Sequence, residues 1–409
     1  MLFNAFLVTV VAGTAAASSC SKAQRAATST TPTRVWETAY TATGAAAVAA
    51  AKATAKTRSP TSNVAGKVFD RYVSIWFENT NFEKARADPN FAAFAAQGIL
   101  LDQFYAVTHP SQPNYIAAIA GDYFGMNHDD FTRADFNIST VIDLLDTRQI
   151  SWGLYQEDMP FSGFEGMAWV NQRNGRNDYV RKHDPAVIFD KNAHYEDRLA
   201  QIKNLSMTDT AASQFHRDLA ADALPQWMFI TPNMTSDAHD TDVTTAGRWL
   251  KSFLGPLMSD KKFMKNTLVL VTFDENEVYS DRNKIFSVLL GDAVPDALKG
   301  TTDSAYYNHY SELATVEANW DLPTLGRWDV GANVYGFAAA KMGAPSPRAW
   351  AASENFSRHY FNASYAGAFY KKGKGNAQFP APNLALDGYN GRPVLEEVKK
   401  TWAGSKAPT

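Results

Sequence analysis

The sequence predicts an α/β fold built on a mainly parallel central sheet, and three features of its 409 residues carry that prediction. From about Val68 onward, short apolar runs alternate with stretches of helical periodicity, the signature of successive βαβ units. Hydrophobic residues make up 45% of the chain and aromatics 13%, enough for a single large core. Several of the apolar runs end in polar clusters, and in open α/β sheets ligands bind beyond the carboxyl ends of the strands.

The elements follow in order. Strands are expected at Tyr72 to Phe77, Ile99 to Val107, Ser151 to Tyr155, Gln226 to Thr231, Thr267 to Phe273 and Phe286 to Leu290. A helix is expected to start at Phe91 to Ala96 and another after Pro113, because proline suits a first helical turn. Further helices are expected over Thr140 to Asp146, Ala212 to Ala223 and Thr244 to Met258. Beyond about residue 330 glycine, proline and aromatics dominate, so loops wrapping the core are expected there.

The first 18 residues form a short apolar run followed by small residues, the pattern of a cleavable secretory signal. Residues 19–66 are rich in Ala, Thr and Ser and read as a linker or pro-segment, since they bury too little to offset ordering entropy. Residues 67–409 then read as one domain. The lone Cys20 excludes an intrachain disulfide. Sequons at Asn137, Asn204, Asn233, Asn355 and Asn362 fit a secreted or cell-wall glycoprotein. A net charge of −3 with scattered Lys and Arg gives no reason to expect nucleic acid, and no later segment is long and apolar enough for stable membrane association.

Three strand ends carry the chemistry. Glu78-Asn79 follows the first strand, Asp274-Glu275-Asn276-Glu277 follows another, and Asn233 to Asp240 follows a third, with Asp237 and His239 within it. Any one of these pairs is compatible with helix capping. Three together would repel one another unless a cation or protons compensate. Oxygen ligands suit Mg²⁺ or Ca²⁺, while imidazole also suits zinc and iron. Ser111, in His109-Pro110-Ser111-Gln112-Pro113-Asn114, falls at or just before a helix start. There it can cap the helix, or attack a phosphate held by the free amides. A serine nucleophile needs activation, which a cation on Glu78, Asp274 and Glu275 would provide. His109 and Asn114 are candidates to bind phosphoryl oxygens, and at acid pH a protonated His109 or His239 could assist the leaving oxygen.

Thr108-His109-Pro110-Ser111-Gln112-Pro113-Asn114-Tyr115, Phe77-Glu78-Asn79 and Phe273-Asp274-Glu275-Asn276 resemble the phosphoesterase family of fungal secreted acid phosphatases and bacterial phospholipases C. Tyr179 to Pro185 and Asn308-His309-Tyr310-Ser311 extend the resemblance, which covers roughly Val68 to Trp328. It implies an alkaline-phosphatase-like fold, with the sheet sandwiched between helices. It implies Ser111 as nucleophile, and metal ligands at Glu78, Asp237, Asp274, Glu275 and His309. Asn79 is implied as a phosphate contact. His239 is implied beside Asp237, as a ligand, a phosphate contact or a proton carrier. Asp274-Glu275 departs from the Asp-His of related zinc enzymes, so Mg, Ca and Zn all stay open. His183 reads as structural, and His128, His194, His216 and His359 carry no assignment.

The expectation is therefore a secreted acid phosphatase that hydrolyses small phosphate monoesters through a Ser111 phosphoenzyme with divalent-metal assistance. A phosphodiesterase or phospholipase C on the same site is the alternative. A non-catalytic secreted or cell-wall protein is the alternative of another class.

Overall fold

A computed structural model describes residues 44–343, 368–369, 379–388 and 391–407; the leader, Cys20, Asn355, His359 and Asn362 lie outside the described residues. The strands are β1 (Arg71–Phe77), β2 (Ile99–Leu101), β3 (Phe104–Tyr105), β4 (Trp152–Glu157), β5 (Ala168–Val170) and β6 (Asn177–Val180). They continue as β7 (Ile202–Leu205), β8 (Trp227–Thr231), β9 (Thr267–Phe273), β10 (Val288–Leu290), β11 (Thr301–Asp303) and β12 (Tyr307–Asn308). Eight of them form the central sheet in the order β11-β2-β10-β9-β1-β8-β4-β7. Only β10 runs against its neighbours, β2 and β9, so the sheet is mainly parallel as expected.

Helices cover both faces, and the alternation of side chains in β1 shows how. Tyr72 and Ser74 hydrogen-bond Glu312 of the helix His309–Asn319, and Trp76 packs on Tyr115 of the helix Ser111–Ala120. Phe77 instead meets Phe91 of the helix Pro89–Ala95 and Trp249 of the helix Val243–Met258. Both faces of the strand are buried, which is why β1 and β9 read as continuous apolar runs.

The differences from the sequence reading have local causes. The run Ile99 to Val107 breaks at Asp102-Gln103, so β2 joins the main sheet while β3 pairs with β12. Residues 56–66, read as linker, lie against the domain through polar contacts, with Val64 also packed against the core. Ser59 donates to Asp218, Ser62 to Gln226 and the Val64 amide to Gln226, at 2.7, 2.6 and 2.8 Å. After residue 330 the described helices are Gly336–Lys341 and Glu396–Thr401. Arg392 in this part lies 3.7 Å from the buried Glu317. Among the described residues no helix is long and apolar enough to cross a membrane.

Candidate active site

Neighbouring parallel strands bring the acidic clusters to one level. Phe77 and Phe273 are register partners in β1 and β9, and the Asp274 amide donates to the Phe77 carbonyl at 2.8 Å. On the other side of β1, the Glu78 amide donates to the Asp237 carbonyl at 2.9 Å, tying the loop after β8 to the same edge. Asn79 has φ of +27°, a backbone region that asparagine tolerates, and its amide donates to Asp274 Oδ1 at 3.1 Å. Ala238, between Asp237 and His239, sits at φ +90°, a strained geometry for a residue with a Cβ. The His239 amide, bonded to Asp237 Oδ1 at 2.8 Å, helps hold it.

The helix Ser111–Ala120 points its first turn at this edge and ends at Gly121. Gly121 has φ of +69°, where a Cβ would also come within 3.0 Å of Asp329. Ser111 and Tyr115 are four residues apart and so share a helix face. Ser111 Oγ donates to Glu78 Oε2 at 2.9 Å, and the Tyr115 hydroxyl donates to Glu78 Oε1 at 2.7 Å. Ser111 Oγ also lies 3.4 Å from Glu275 Oε1 and 3.4 Å from Asn79 Oδ1. The proposed hydroxyl and the Glu78 and Glu275 carboxylates thus share one buried place.

His183 completes the cluster, and sequence reasoning passed it over as structural. A short turn after β6 delivers it, and its ring stacks on Tyr115 at 5.0 Å. Its Nε2 is 3.1 Å from Glu78 Oε1 and its Nδ1 is 3.6 Å from Asp237 Oδ2. Glu78, His183 and Asp237 each offer a ligand atom, all within 4.8 Å of one another, as a metal ion requires. The signal that could have found it was its place in the Arg-Lys-His-Asp-Pro segment.

The other predicted residues fall unevenly. His109 Nδ1 pairs with Glu275 Oε2, and its ring stacks on Tyr279, whose hydroxyl donates to Glu275 Oε1 at 3.2 Å. His239 pairs with Asp240 through Nδ1 at 2.8 Å, with Nε2 3.4 Å from Lys182 Nζ. Asn114, read as a phosphate contact, is spent elsewhere. Its Oδ1 accepts from the amides of Val107 and Thr108, and its Nδ2 donates to the carbonyls of Thr108 and Pro110. An amide so occupied holds the loop before Ser111 in shape and has no donor left for phosphate. His309, read as a ligand, places Nε2 2.7 Å from the Asp274 carbonyl and stacks on Trp76, outside the Glu78-His183-Asp237 group.

Electrostatics mark the cluster as incomplete without a positive charge. Burial, then Asp274, pushes Glu78 well above the carboxylate range. Burial, then Glu78, does the same to Asp237, and burial with Glu275 does so to Asp274. Glu275 is pushed up to about 9 by burial and Glu78. His183 is held well below its ordinary value by burial, then by Lys182 and His239. Asp237 Oδ2 and Asp274 Oδ2 are buried with no hydrogen-bond partner, and His183 Nε2 lies 3.1 Å from Glu78 Oε1 without the alignment of a hydrogen bond. Carboxylates and a neutral imidazole in this state suit a divalent cation, so the donor set fits one.

A serine hydroxyl held by buried carboxylates beside a divalent-cation donor set, on the carboxyl edge of an α/β sheet, is the equipment of a phosphoric ester hydrolase. The comparisons with known proteins agree. The sequence model of the Phosphoesterase family matches residues 79–323, and this chain belongs to that family. An acid phosphatase of Aspergillus fumigatus is 48% identical over 348 residues, spanning 85% of this chain and 76% of that protein. A probable acid phosphatase of Kluyveromyces lactis is 46% identical over 341 residues, spanning 83% of this chain and 77% of that protein. A phosphatidylinositol-3-phosphatase of Mycobacterium tuberculosis is 28% identical over 242 residues, 59% of this chain and 72% of that protein. Among solved structures, an alkaline phosphatase superfamily protein from Vibrio parahaemolyticus is similar at 9% identity and a TM-score of 0.41, over 66% of this chain and 73% of that one.

Proposed function

We propose that the chain is an acid phosphatase that hydrolyses small phosphate monoesters, with Ser111 as nucleophile. The observation that carries this is the Ser111 hydroxyl, 2.9 Å from Glu78 Oε2 at the start of a helix. The names of the fungal relatives support the monoester over the diester reading.

Glu78, Asp237 and His183, with Asp274 and Glu275 beside them, would hold a divalent cation. When bound, such a cation lowers the pKa of a nearby hydroxyl and offsets charge on phosphoryl oxygens. Glu78 Oε2 orients the Ser111 hydroxyl and accepts its proton. Ser111 Oγ forms the new bond to phosphorus as the ester oxygen leaves, giving a phosphoserine. The Asn79 amide group and the backbone N–H groups at the start of the Ser111 helix bind the equatorial oxygens. His109, oriented by Glu275 and Tyr279, gives a proton from Nε2 to the leaving oxygen. Water then cleaves the phosphoserine and releases inorganic phosphate. The leader and sequons support action outside the cell.

The test is Ser111→Ala assayed with p-nitrophenyl phosphate, together with acid-quench trapping of labelled phosphate on the protein. The expected result is a loss of about a thousandfold or more in kcat and no trapped label. A variant within tenfold of the parent would overturn the assignment.

A further inference from the structure

Lys182 and Asp129 are absorbed by neither the metal cluster nor the attack on phosphorus, yet Asp129 links Lys182 to the residue that follows Ser111. Asp129 Oδ1 accepts from the backbone amide of Gln112, the residue directly after Ser111, at 2.9 Å. Its Oδ2 accepts from Lys182 Nζ at 3.0 Å, and Lys182 Nζ is 3.4 Å from His239 Nε2. The Gln112 side chain holds the loop in place, its Nε2 donating to the Asp130 carbonyl at 3.0 Å and to Thr132 Oγ1 at 3.3 Å. One residue therefore fixes the loop with its side chain and receives that loop's carboxylate on its amide.

A phosphoryl group joined to Ser111 Oγ lies one peptide unit from the Gln112 N–H. Its oxygens need donors there, and a lysine ammonium beside that amide supplies the charge compensation on which phosphoryl transfer mainly depends. A carboxylate and a phosphoryl group compete for the same donors. The Asp129 side chain keeps 29% of its surface exposed, against 13% for Lys182, which gives the carboxylate a way out to solvent.

We propose that Lys182 Nζ and the Gln112 amide bind the substrate's phosphoryl oxygens, and that Asp129 is a resident competitor occupying those donors until phosphate displaces it. This rests on Ser111 being the nucleophile of a phosphatase. Asp129 keeps the lysine charged and positioned in the free enzyme, and it lowers affinity for every phosphate, the inorganic product included.

The test measures inorganic phosphate binding by calorimetry on the metal-loaded protein in a Ser111→Ala background. Asp129→Asn keeps the size and removes the charge, and it binds phosphate at least tenfold more tightly. It also lowers KM for p-nitrophenyl phosphate in the Ser111 enzyme, a change that a merely structural aspartate would not produce. Lys182→Met weakens phosphate binding at least tenfold, and Lys182→Arg restores part of it. Unchanged or weaker binding in a folded Asp129→Asn protein overturns the proposal. If that variant does not fold, Lys182→Met decides, and unchanged phosphate affinity there overturns it. Failure of the phosphatase reading looks different: the Ser111→Ala protein stays fully active, or no saturable phosphate binding occurs in any version.

Discussion

The Tyr115 hydroxyl donates to Glu78 Oε1 at 2.7 Å, from one helical turn beyond the serine that donates to the other oxygen of the same carboxylate. Both oxygens of a fully buried glutamate are thus set by one helix. Tyr115→Phe keeps the packed ring and removes only the donor. A hydrogen bond to a charged group contributes roughly 1.5–3 kcal/mol, so kcat with p-nitrophenyl phosphate is expected to fall by roughly ten- to a hundredfold. Steady-state kinetics beside a melting curve check this, and an unaffected kcat would show that Glu78 needs no such support.

His183 tests the metal reading. Its Nε2 faces Glu78 Oε1 at 3.1 Å, and Asp237 Oδ2 and Asp274 Oδ2 have no hydrogen-bond partners although buried. His183→Ala and Asp237→Asn are therefore expected to lose bound divalent metal, measured per chain by inductively coupled plasma mass spectrometry. Chelation of the parent protein should lower its melting temperature and abolish activity, with both restored by added metal. Full metal content in both variants would move the site away from this group.

Stability should fall as pH rises from acid to neutral. Burial pushes Glu312 up to about 8, and burial with Asp158 pushes Glu157 up to about 7. Between the ordinary carboxylate value near 4.5 and these raised values, the folded chain keeps protons that the unfolded chain has released. The unfolding free energy therefore declines with pH across that window, by on the order of a few kcal/mol. Glu312→Gln should flatten the slope of melting temperature against pH between about 5 and 8. A slope identical to the parent's would show that Glu312 is ionised in the fold.

The sequons divide by the state of their amides. Asn233 is 8% exposed, and its Nδ2 donates to Asp158 Oδ2 at 2.7 Å while Oδ1 accepts from the Thr235 and Ser236 amides. The Asn204 Nδ2 donates to the Ala212 carbonyl at 3.1 Å. Asn137 is exposed. Glycopeptide mapping of the protein expressed in a fungal host should find sugar on Asn137 and none on Asn233. High occupancy at Asn233 would contradict the loop geometry around Asp237.

The parts of the fold legible in the sequence are those buried on both faces. β1, β8 and β9 are continuous apolar runs because both sides of the sheet are covered, and their ends expose Glu78, Asp237, Asp274 and Glu275 as breaks in pattern. The helix His309–Asn319 is also fully buried, but for a helix that hides the pattern. Every one of its residues is buried, Glu312 and Glu317 included, so it shows no polar stripe to mark a helical period. His183 was missed because a three-residue turn, rather than a strand end, carries it in. Asn114 was misread because its spacing from Ser111 is visible in sequence, while the four loop groups that occupy its amide are not.

Ser111 emerges from the ribosome more than a hundred and sixty residues ahead of Asp274, yet the two belong to one cluster closed only when β9 zips onto β1. A nascent chain therefore holds Glu78 and Ser111 from early in synthesis but lacks Asp274 and Glu275 until 163 further residues have followed Ser111. On the proposed function, a polypeptide truncated before β9 lacks half of that acidic set and is expected to be inactive.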